Sequence, residues 1–278
     1  MTDRYGVVGH PVGHSWSPFI HGLFARDTGQ TLSYRLFDFT PAEFQPRVRE
    51  FFAGGGLGLN VTVPHKIAAV ELASQLTTRA AHAGAVNTLA AQKDGAVLGD
   101  NTDGAGLVRD LCDNLGLVII RRRILIIGAG GATRGVIAPL LALEPAQLVI
   151  ANRTVERAQD MAGAFAQLGP VQGVGIRDVL GQPPFDLIIN ATSASLSGEL
   201  PAVPESIIGP ETVCYDMAYG KTDTPFMHWA LKQGCARAIP GWGMLVEQAA
   251  ESFRVWRGVK PSTGSVLTAL RERALIAS

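Results

Sequence analysis

The strongest constraint on the fold lies at residues 123–133. Arg123-Ile124-Leu125-Ile126-Ile127 runs directly into Gly128-Ala129-Gly130-Gly131-Ala132-Thr133. An unbroken apolar run of this length suits a strand buried on both faces, as in a parallel sheet. A helical pattern follows over 134–143. Strand, glycine turn and helix in succession are the context in which a GxG signals nucleotide binding. Gly128 allows the tight turn, and Gly130 lets the backbone approach a pyrophosphate at the helix N-terminus. Ala129, Gly131 and Ala132 keep the same turn small. The third glycine of the fingerprint would fall at 133, where Thr133 stands instead, so a slightly wider contact between helix and strand is expected.

A second strand over 147–151 ends at Asn152-Arg153-Thr154, with Arg157 on the turn that follows. An acid is expected here, ~20 residues after the glycine turn, to hold the ribose 2′-hydroxyl of NAD. None is present. An arginine pairs with a 2′-phosphate, and the missing carboxylate removes a repulsion, so NADP is favoured over NAD. An arginine on an ordinary surface turn would leave the absent acid unexplained. Further buried strands over 185–190 and 212–216 exit at Asn190-Ala191-Thr192-Ser193 and at Met217-Ala218-Tyr219. Ligands of open α/β sheets bind beyond the carboxyl ends of the strands, so these exits should flank the nicotinamide. Thr224-Pro225 opens a helix to Gln233. Gly241-Trp242-Gly243-Met244 leads into a long helix with a core stripe of Leu245, Ala249, Phe253 and Trp256. Met244 and Gln248, one turn apart, either edge that core or face a cleft.

The first half also alternates strands and helices, with strands over 5–8, 32–39 and 59–63 and a helix over 41–52, which predicts a second parallel α/β unit. In Gly58-Leu59-Asn60-Val61-Thr62-Val63-Pro64-His65-Lys66 the apolar residues share one face, while Asn60 and Thr62 share the other and can grip a polar ligand. Pro64 should stop the strand, leaving Lys66 at its exit and at the start of a helix over 66–74. A cation is disfavoured at a helix N-terminus, which speaks for a functional lysine. Before this, Ser17 is expected as an N-cap with Pro18 at the first helical position. Ser15 and Ser17 together place two hydroxyls near unpaired helix N–H groups, a good seat for a carboxylate. A helix over 79–83 precedes a strand pair over 84–89 and 95–99, turning at Lys93-Asp94-Gly95. Asn87 in this pair is either an edge residue facing water or a ligand contact. Gly99-Asp100-Asn101-Thr102-Asp103-Gly104 reads as a domain break. Thr102 or Asp103 caps the helix over 104–115, and the alternative for Asp103 is a pairing with Lys66.

With 278 residues, about two domains are expected. The 24 basic and 24 acidic residues cancel, so no global field favours nucleic acid or an anionic membrane. The Arg121-Arg122-Arg123 run is a solvated approach to a buried strand. Cys112, Cys214 and Cys235 form no CxxC, which suits reduced thiols in a cytoplasm. No apolar run spans a membrane, and the start MTDRYG is no signal peptide. His14 and His21 lack acidic or cysteine partners at ligand spacing, so no metal is expected.

Taken together, these motifs resemble the shikimate dehydrogenase family over nearly the whole chain: His14-Ser15-Trp16-Ser17-Pro18, Asn60 to Lys66, Gly84 to Leu89, Asn101 to Gly104, Gly128 to Ala132, Asn152-Arg153-Thr154, Asn190 to Ser193, Tyr215-Asp216 with Tyr219, and Gly243 to Val246. The resemblance implies reversible reduction of 3-dehydroshikimate to shikimate by NADPH, a step of aromatic amino-acid biosynthesis. It implies a two-domain α/β fold with a cleft, in which a substrate domain over 1–103 is completed by helices over 244–278. A Rossmann-type NADP domain over 104–243 lies between them in sequence. By resemblance Lys66 and Asp103 are the catalytic pair; Ser15, Ser17 and Tyr219 hold the substrate carboxylate; and Asn60, Thr62, Asn87 and Gln248 bind ring hydroxyls. Gly128 to Ala132, Asn152, Arg153, Thr154, Arg157, Thr192, Ser193, Met217, Gly241 and Met244 serve the cofactor. Trp16, Pro240 and Trp242 depart from the family pattern at the cleft border without removing a chemical group. A quinate/shikimate dehydrogenase of broader specificity, with NAD as its alternative nucleotide, is the competing enzyme reading. A nucleotide-binding regulator should have lost Lys66 or Asp103, and both are present. A small-molecule substrate is expected, and a homodimer is compatible with the chain.

Overall fold

The computed structural model describes residues 2–276 except 193, 195–198, 202 and 221. In chain order its elements are β1 (Asp3–Gly9), α1 (Ser17–Asp27), β2 (Leu32–Asp38), α2 (Pro41–Ala53), β3 (Gly58–Val61), β4 (Gln75–Leu76), α3 (Thr78–Ala83), β5 (Thr88–Ala91), β6 (Val97–Asp100) and α4 (Asp103–Arg109). Then come β7 (Arg123–Ile127), α5 (Gly131–Leu141), β8 (Gln147–Asn152), α6 (Val155–Phe165), β9 (Val171–Gly175), β10 (Leu187–Asn190), β11 (Val213–Asp216), α7 (Pro225–Lys232), β12 (Arg237–Pro240), α8 (Trp242–Arg257) and α9 (Gly264–Ile276). Two compact units result. One is built from Met1–Leu107 and Leu245–Arg273, the other chiefly from Val108–Met244.

The second unit carries a six-stranded sheet in the order β12-β11-β10-β7-β8-β9. Every pairing in it is parallel. Read from β7, this is the doubly wound order in which the chain reverses direction between β7 and β10. The apolar run explains its central place. Ile124, Leu125, Ile126 and Ile127 are all fully buried, each worth roughly 1.5–3 kcal/mol of burial. Leu125 and Ile127 pack with Val149, Ile188, Phe185 and Phe226 on one face. α7 starts as expected, with the Thr224 hydroxyl accepting from Met227 N–H at 3.2 Å.

The first unit holds a mixed sheet in the order β2-β1-β3-β5-β6-β4. β1 pairs in parallel with β2 and β3, while β5 runs antiparallel to both β3 and β6. Its core joins Val8, Phe44, Val48, Leu59, Val61, Val86 and Leu89. α2 opens with a reciprocal box in which Glu43 accepts from the Thr40 backbone N–H at 3.0 Å and hydroxyl at 2.7 Å.

Several local expectations shift. β3 ends at Val61, two residues early, and all four of its residues are buried. The side carrying Asn60 is covered by Ser252 of α8 and Tyr34 of β2, both bonded to the Asn60 side chain, and is buried rather than open. Val63 is 54% exposed and belongs to neither row. The helix expected over 66–74 is a short 3-10 turn, Ala68–Leu72. Lys66 cannot join it as a regular helical residue, because its carbonyl accepts from Val86 N–H at 2.8 Å. Ser17 does not cap α1: Trp16 holds the cap position and makes no side-chain cap bond. Ser15 does the local work instead, its hydroxyl accepting from Ser17 N–H at 3.2 Å.

Candidate active site

Lys66 follows a segment anchored by its neighbour. The His65 ring stacks on Phe44 at 4.2 Å and bonds the Phe39 carbonyl at 2.7 Å. With its own carbonyl tied to Val86, Lys66 has a fixed backbone. Its amine donates to Asp103 Oδ2 at 2.6 Å, with side chains 13% and 5% exposed. Asp103 is the first residue of α4, where a carboxylate meets the positive end of the helix. Asp103 is not its own cap, since its N–H donates to Asn101 Oδ1 at 3.2 Å. The carboxylate is thereby released for the lysine.

Asn87 secures the other carboxylate oxygen. Its Nδ2 donates to Asp103 Oδ1 at 2.8 Å and to Thr102 Oγ1 at 2.9 Å, with Gln248 Oε1 at 3.3 Å. The amide cannot be reversed, because Thr102 N–H donates to Asn87 Oδ1 at 2.8 Å and a backbone N–H can only donate. Asn87 thus lies just before β5, buried and facing Asp103 rather than water. Gln248 on α8 is half-buried, with its Nε2 on the Leu245 carbonyl at 2.9 Å.

Asn60 is only 6% exposed. Its Nδ2 reaches Ser252 Oγ at 2.9 Å and the Asn87 carbonyl at 3.3 Å, while its Oδ1 accepts from Tyr34 at 2.8 Å. Burial holds the Tyr34 phenol well above its ordinary pKa, against a smaller opposing effect of Ser17, so it remains a donor. Ser15 Oγ donates to Ser17 Oγ at 3.1 Å. Thr62 lies one residue beyond β3, half-buried, its N–H on the Val8 carbonyl at 2.9 Å and its methyl in space left by the missing side chain of Gly9.

Lys66, Asp103, Asn87 and Gln248 therefore form one cluster, and Asn60 joins it through Ser252. Tyr34, Thr88, Thr102 and Ser252 are participants that sequence reasoning did not assign. A period-two reading cannot find them, because their partners come from β2, β5, the turn before α4 and α8.

Tyr219 belongs to the second unit, where its ring lies 4.6 Å from that of Trp242. The glycine turn sits at the point where the strand order reverses. Gly128 has φ +106°, and a side chain there would meet Thr192 Cγ2 at 3.1 Å. Thr133 replaces the third glycine productively: fully buried, it donates its hydroxyl to the Gly128 carbonyl at 2.8 Å and ties helix to turn. Gly130 caps α5 with open space where a side chain would stand, and Gly131 and Ala132 begin the helix. Ala129 links the two glycines. At the end of β8, Asn152 Nδ2 donates to the Thr154 carbonyl at 2.9 Å, which shapes a turn leaving Arg153 and Arg157 exposed. Gly241 must lack a side chain, since one would lie 2.5 Å from the Met217 carbonyl. Met244 is 6% exposed and bonds through its N–H to Tyr215 at 3.4 Å. Ser193 lies outside the described residues. A carboxylate-free β8 end with two arginines and an open glycine cradle fits a nucleotide with a 2′-phosphate.

Known families agree with this geometry. The profile described as "Shikimate dehydrogenase substrate binding domain" matches residues 7–89, and "Shikimate / quinate 5-dehydrogenase" matches 113–197. "Shikimate 5'-dehydrogenase C-terminal domain" matches 241–271. The NADP(+) shikimate dehydrogenase of Methylococcus capsulatus is 55% identical over 270 residues, covering 97% of this chain and 96% of that protein. The chain belongs to the shikimate dehydrogenase family. Among solved structures similar to this family member, the Ael1 enzyme from Pseudomonas putida is 43% identical with TM-score 0.88, covering 97% of this chain and 98% of that one. The Thermus thermophilus shikimate 5-dehydrogenase, solved with NADP(H) and shikimate, is 29% identical with TM-score 0.85, covering 99% of this chain and 100% of that one. The two-unit α/β architecture, with its Rossmann-type sheet, is that of shikimate dehydrogenases. Among the described residues no acidic, histidine or cysteine cluster could hold a metal, and no helix is long and apolar enough to cross a membrane.

Proposed function

We propose that this chain catalyses the reversible NADPH-dependent reduction of 3-dehydroshikimate to shikimate. The observation that carries the reading is the largely buried Lys66–Asp103 contact at 2.6 Å. Reducing a ketone requires a hydride at carbon and a proton at oxygen, and NADPH supplies the hydride when bound. Lys66 donates the proton from Nζ, and its positive charge stabilises the alkoxide as it develops. Asp103 orients the amine and balances its charge, and Asn87 holds the carboxylate in register for that task. The Ser15–Ser17 hydroxyl pair receives the substrate carboxylate. Thr62 and Gln248, both half-buried, meet ring hydroxyls, and the buried Asn60 and Asn87 complete that polar wall.

The unit around β7 is the NADP domain. Gly128 to Ala132 take the pyrophosphate, and Asn152, Arg153, Thr154 and Arg157 take the 2′-phosphate. Thr192, Met217, Gly241 and Met244 line the nicotinamide end. The unit formed by residues 1–107 and 245–273 is the substrate domain. Three cysteines without disulfides suit a reducing cytoplasm. The test is a steady-state assay of the purified chain with shikimate or quinate, each with NADP or NAD. Shikimate with NADP should give the highest kcat/KM; a preference for quinate or NAD would replace this reading with the broader dehydrogenase.

A further inference from the structure

Ser252 lies on α8, fully buried, and its single hydroxyl meets four groups. Asn60 Nδ2 donates to it at 2.9 Å; Thr88 Oγ1 and Thr102 Oγ1 lie at 2.8 Å and 3.1 Å; the Gln248 carbonyl accepts from it at 3.0 Å. A hydroxyl has one proton and two lone pairs, so its neighbours must divide the roles.

The fixed groups decide the division. Asn60 cannot reverse its amide, because Nδ2 faces the Asn87 carbonyl, which only accepts. Asn87 cannot reverse either, being held by Thr102 N–H. The Gln248 carbonyl can only accept, so it takes the Ser252 proton, while Thr88 gives its own proton to Asn87 Oδ1 at 2.9 Å and accepts from Asn60 Nδ2 at 3.3 Å. Thr102 Oγ1 accepts from Asn87 Nδ2 and, with Asn87 Oδ1 already taking the Thr88 proton and the Thr102 N–H, donates onward to Ser252. Asn60 Nδ2 then donates to the remaining lone pair. In this division every group is satisfied with Ser252 at the centre, and a fully satisfied buried network is the kind that specifies one geometry.

We infer that Ser252 is a positioning residue for the reaction: it takes the Thr102 hydroxyl proton so that Asn87 aims its amide N–H at Asp103 Oδ1 and leaves Oδ2 to Lys66. The inference rests on the roles assigned to Lys66 and Asp103 under the proposed function. Without Ser252, the Thr102 proton turns to Asn87 Oδ1, 3.1 Å away, and competes there with Thr88. Asn60 loses its shortest acceptor, Asn87 loosens, and the carboxylate it holds can rotate away from the amine.

The test is Ser252→Ala and Ser252→Thr in the full chain, with steady-state kinetics for shikimate and NADP and a thermal melt of each. Ser252→Ala should lower kcat roughly tenfold, about the weight of one charge-assisted hydrogen bond, with KM for NADP unchanged. Ser252→Thr keeps the hydroxyl and should recover most of kcat. Where Ser252→Ala fails to fold, Thr102→Val, which breaks the same relay one step nearer Asp103, should show the same loss of kcat. A folded Ser252→Ala with kcat within twofold of the native chain overturns the inference, as does an equal loss in the Thr variant. If the native chain does not turn over shikimate with NADP, the proposed function and the inference fall together. An active native chain with an unimpaired Ser252→Ala overturns the inference alone.

Discussion

Lys66 Nζ stands 2.6 Å from Asp103 Oδ2 although 37 residues separate them, and Asn87 reaches the other carboxylate oxygen at 2.8 Å. The carboxylate is therefore held from both sides. On the proposed function, replacing Lys66 with Ala removes the proton donor and the charge that meets the alkoxide. kcat should fall by ~10²–10⁴ with little change in the KM for shikimate. Stopped-flow and steady-state rates check this, and near-native kcat would remove Lys66 from the role. Asp103→Asn, which keeps shape but not charge, should also lower kcat.

The nucleotide preference is predicted to reside in two arginines. Arg153 and Arg157 are exposed at the end of β8, where Asn152 occupies the place of an acid. Arg153→Ala should raise the KM for NADP about tenfold or more and leave that for NAD nearly unchanged. Equal effects on the two nucleotides would show that the arginine does not read the 2′-phosphate.

His21 provides a stability test. Fully buried on α1, it stacks on Tyr34 at 4.3 Å. Burial holds its pKa down to about 3, against a smaller opposing effect of Asn60. The unfolded chain thus binds a proton that the folded chain refuses between about pH 6.5 and pH 3. The contribution is complete above pH 6.5 and is lost as pH falls through that window, by up to roughly 5 kcal/mol. Urea melts at pH 7 and pH 5 should show His21→Phe losing less stability on acidification than the native chain. Identical losses would dismiss His21 as an acid-sensitive group.

Gly243 tests the start of α8. A side chain there would collide with the buried carboxylate of Asp110, which accepts from the Tyr215 hydroxyl at 2.7 Å. Gly243→Ala should cost about 1–3 kcal/mol or more and lower the melting temperature. An unchanged melt would mean that the carboxylate can move aside without loss.

Much of this protein was legible before folding was considered. The apolar run into Gly128 announced a buried parallel strand and a nucleotide turn because both depend on adjacent residues. The absent acid at Asn152 indicated the cofactor's phosphate, since its chemistry is local. The repeated strand–helix alternation was also local, and boundaries erred by only a few residues, as at β5 and β10. Asn60 and Thr62 were harder: their pairing on one face assumed an open sheet surface, and Ser252 of α8, bonded to Asn60, decided otherwise. Lys66 lost its expected helix to a single bond from Val86, twenty residues on.

By itself the sequence determined which chemical groups are available and which short-range geometries they can adopt, since backbone preferences and side-chain periodicity act over a few residues. The tertiary structure alone decided which groups meet. Lys66, Asn87, Asp103 and Ser252 come from four separate parts of the chain, and the hydrogen bonds of about 3 Å that link them, with Thr102 bridging Ser252 to Asn87, require a packed interior to fix their positions.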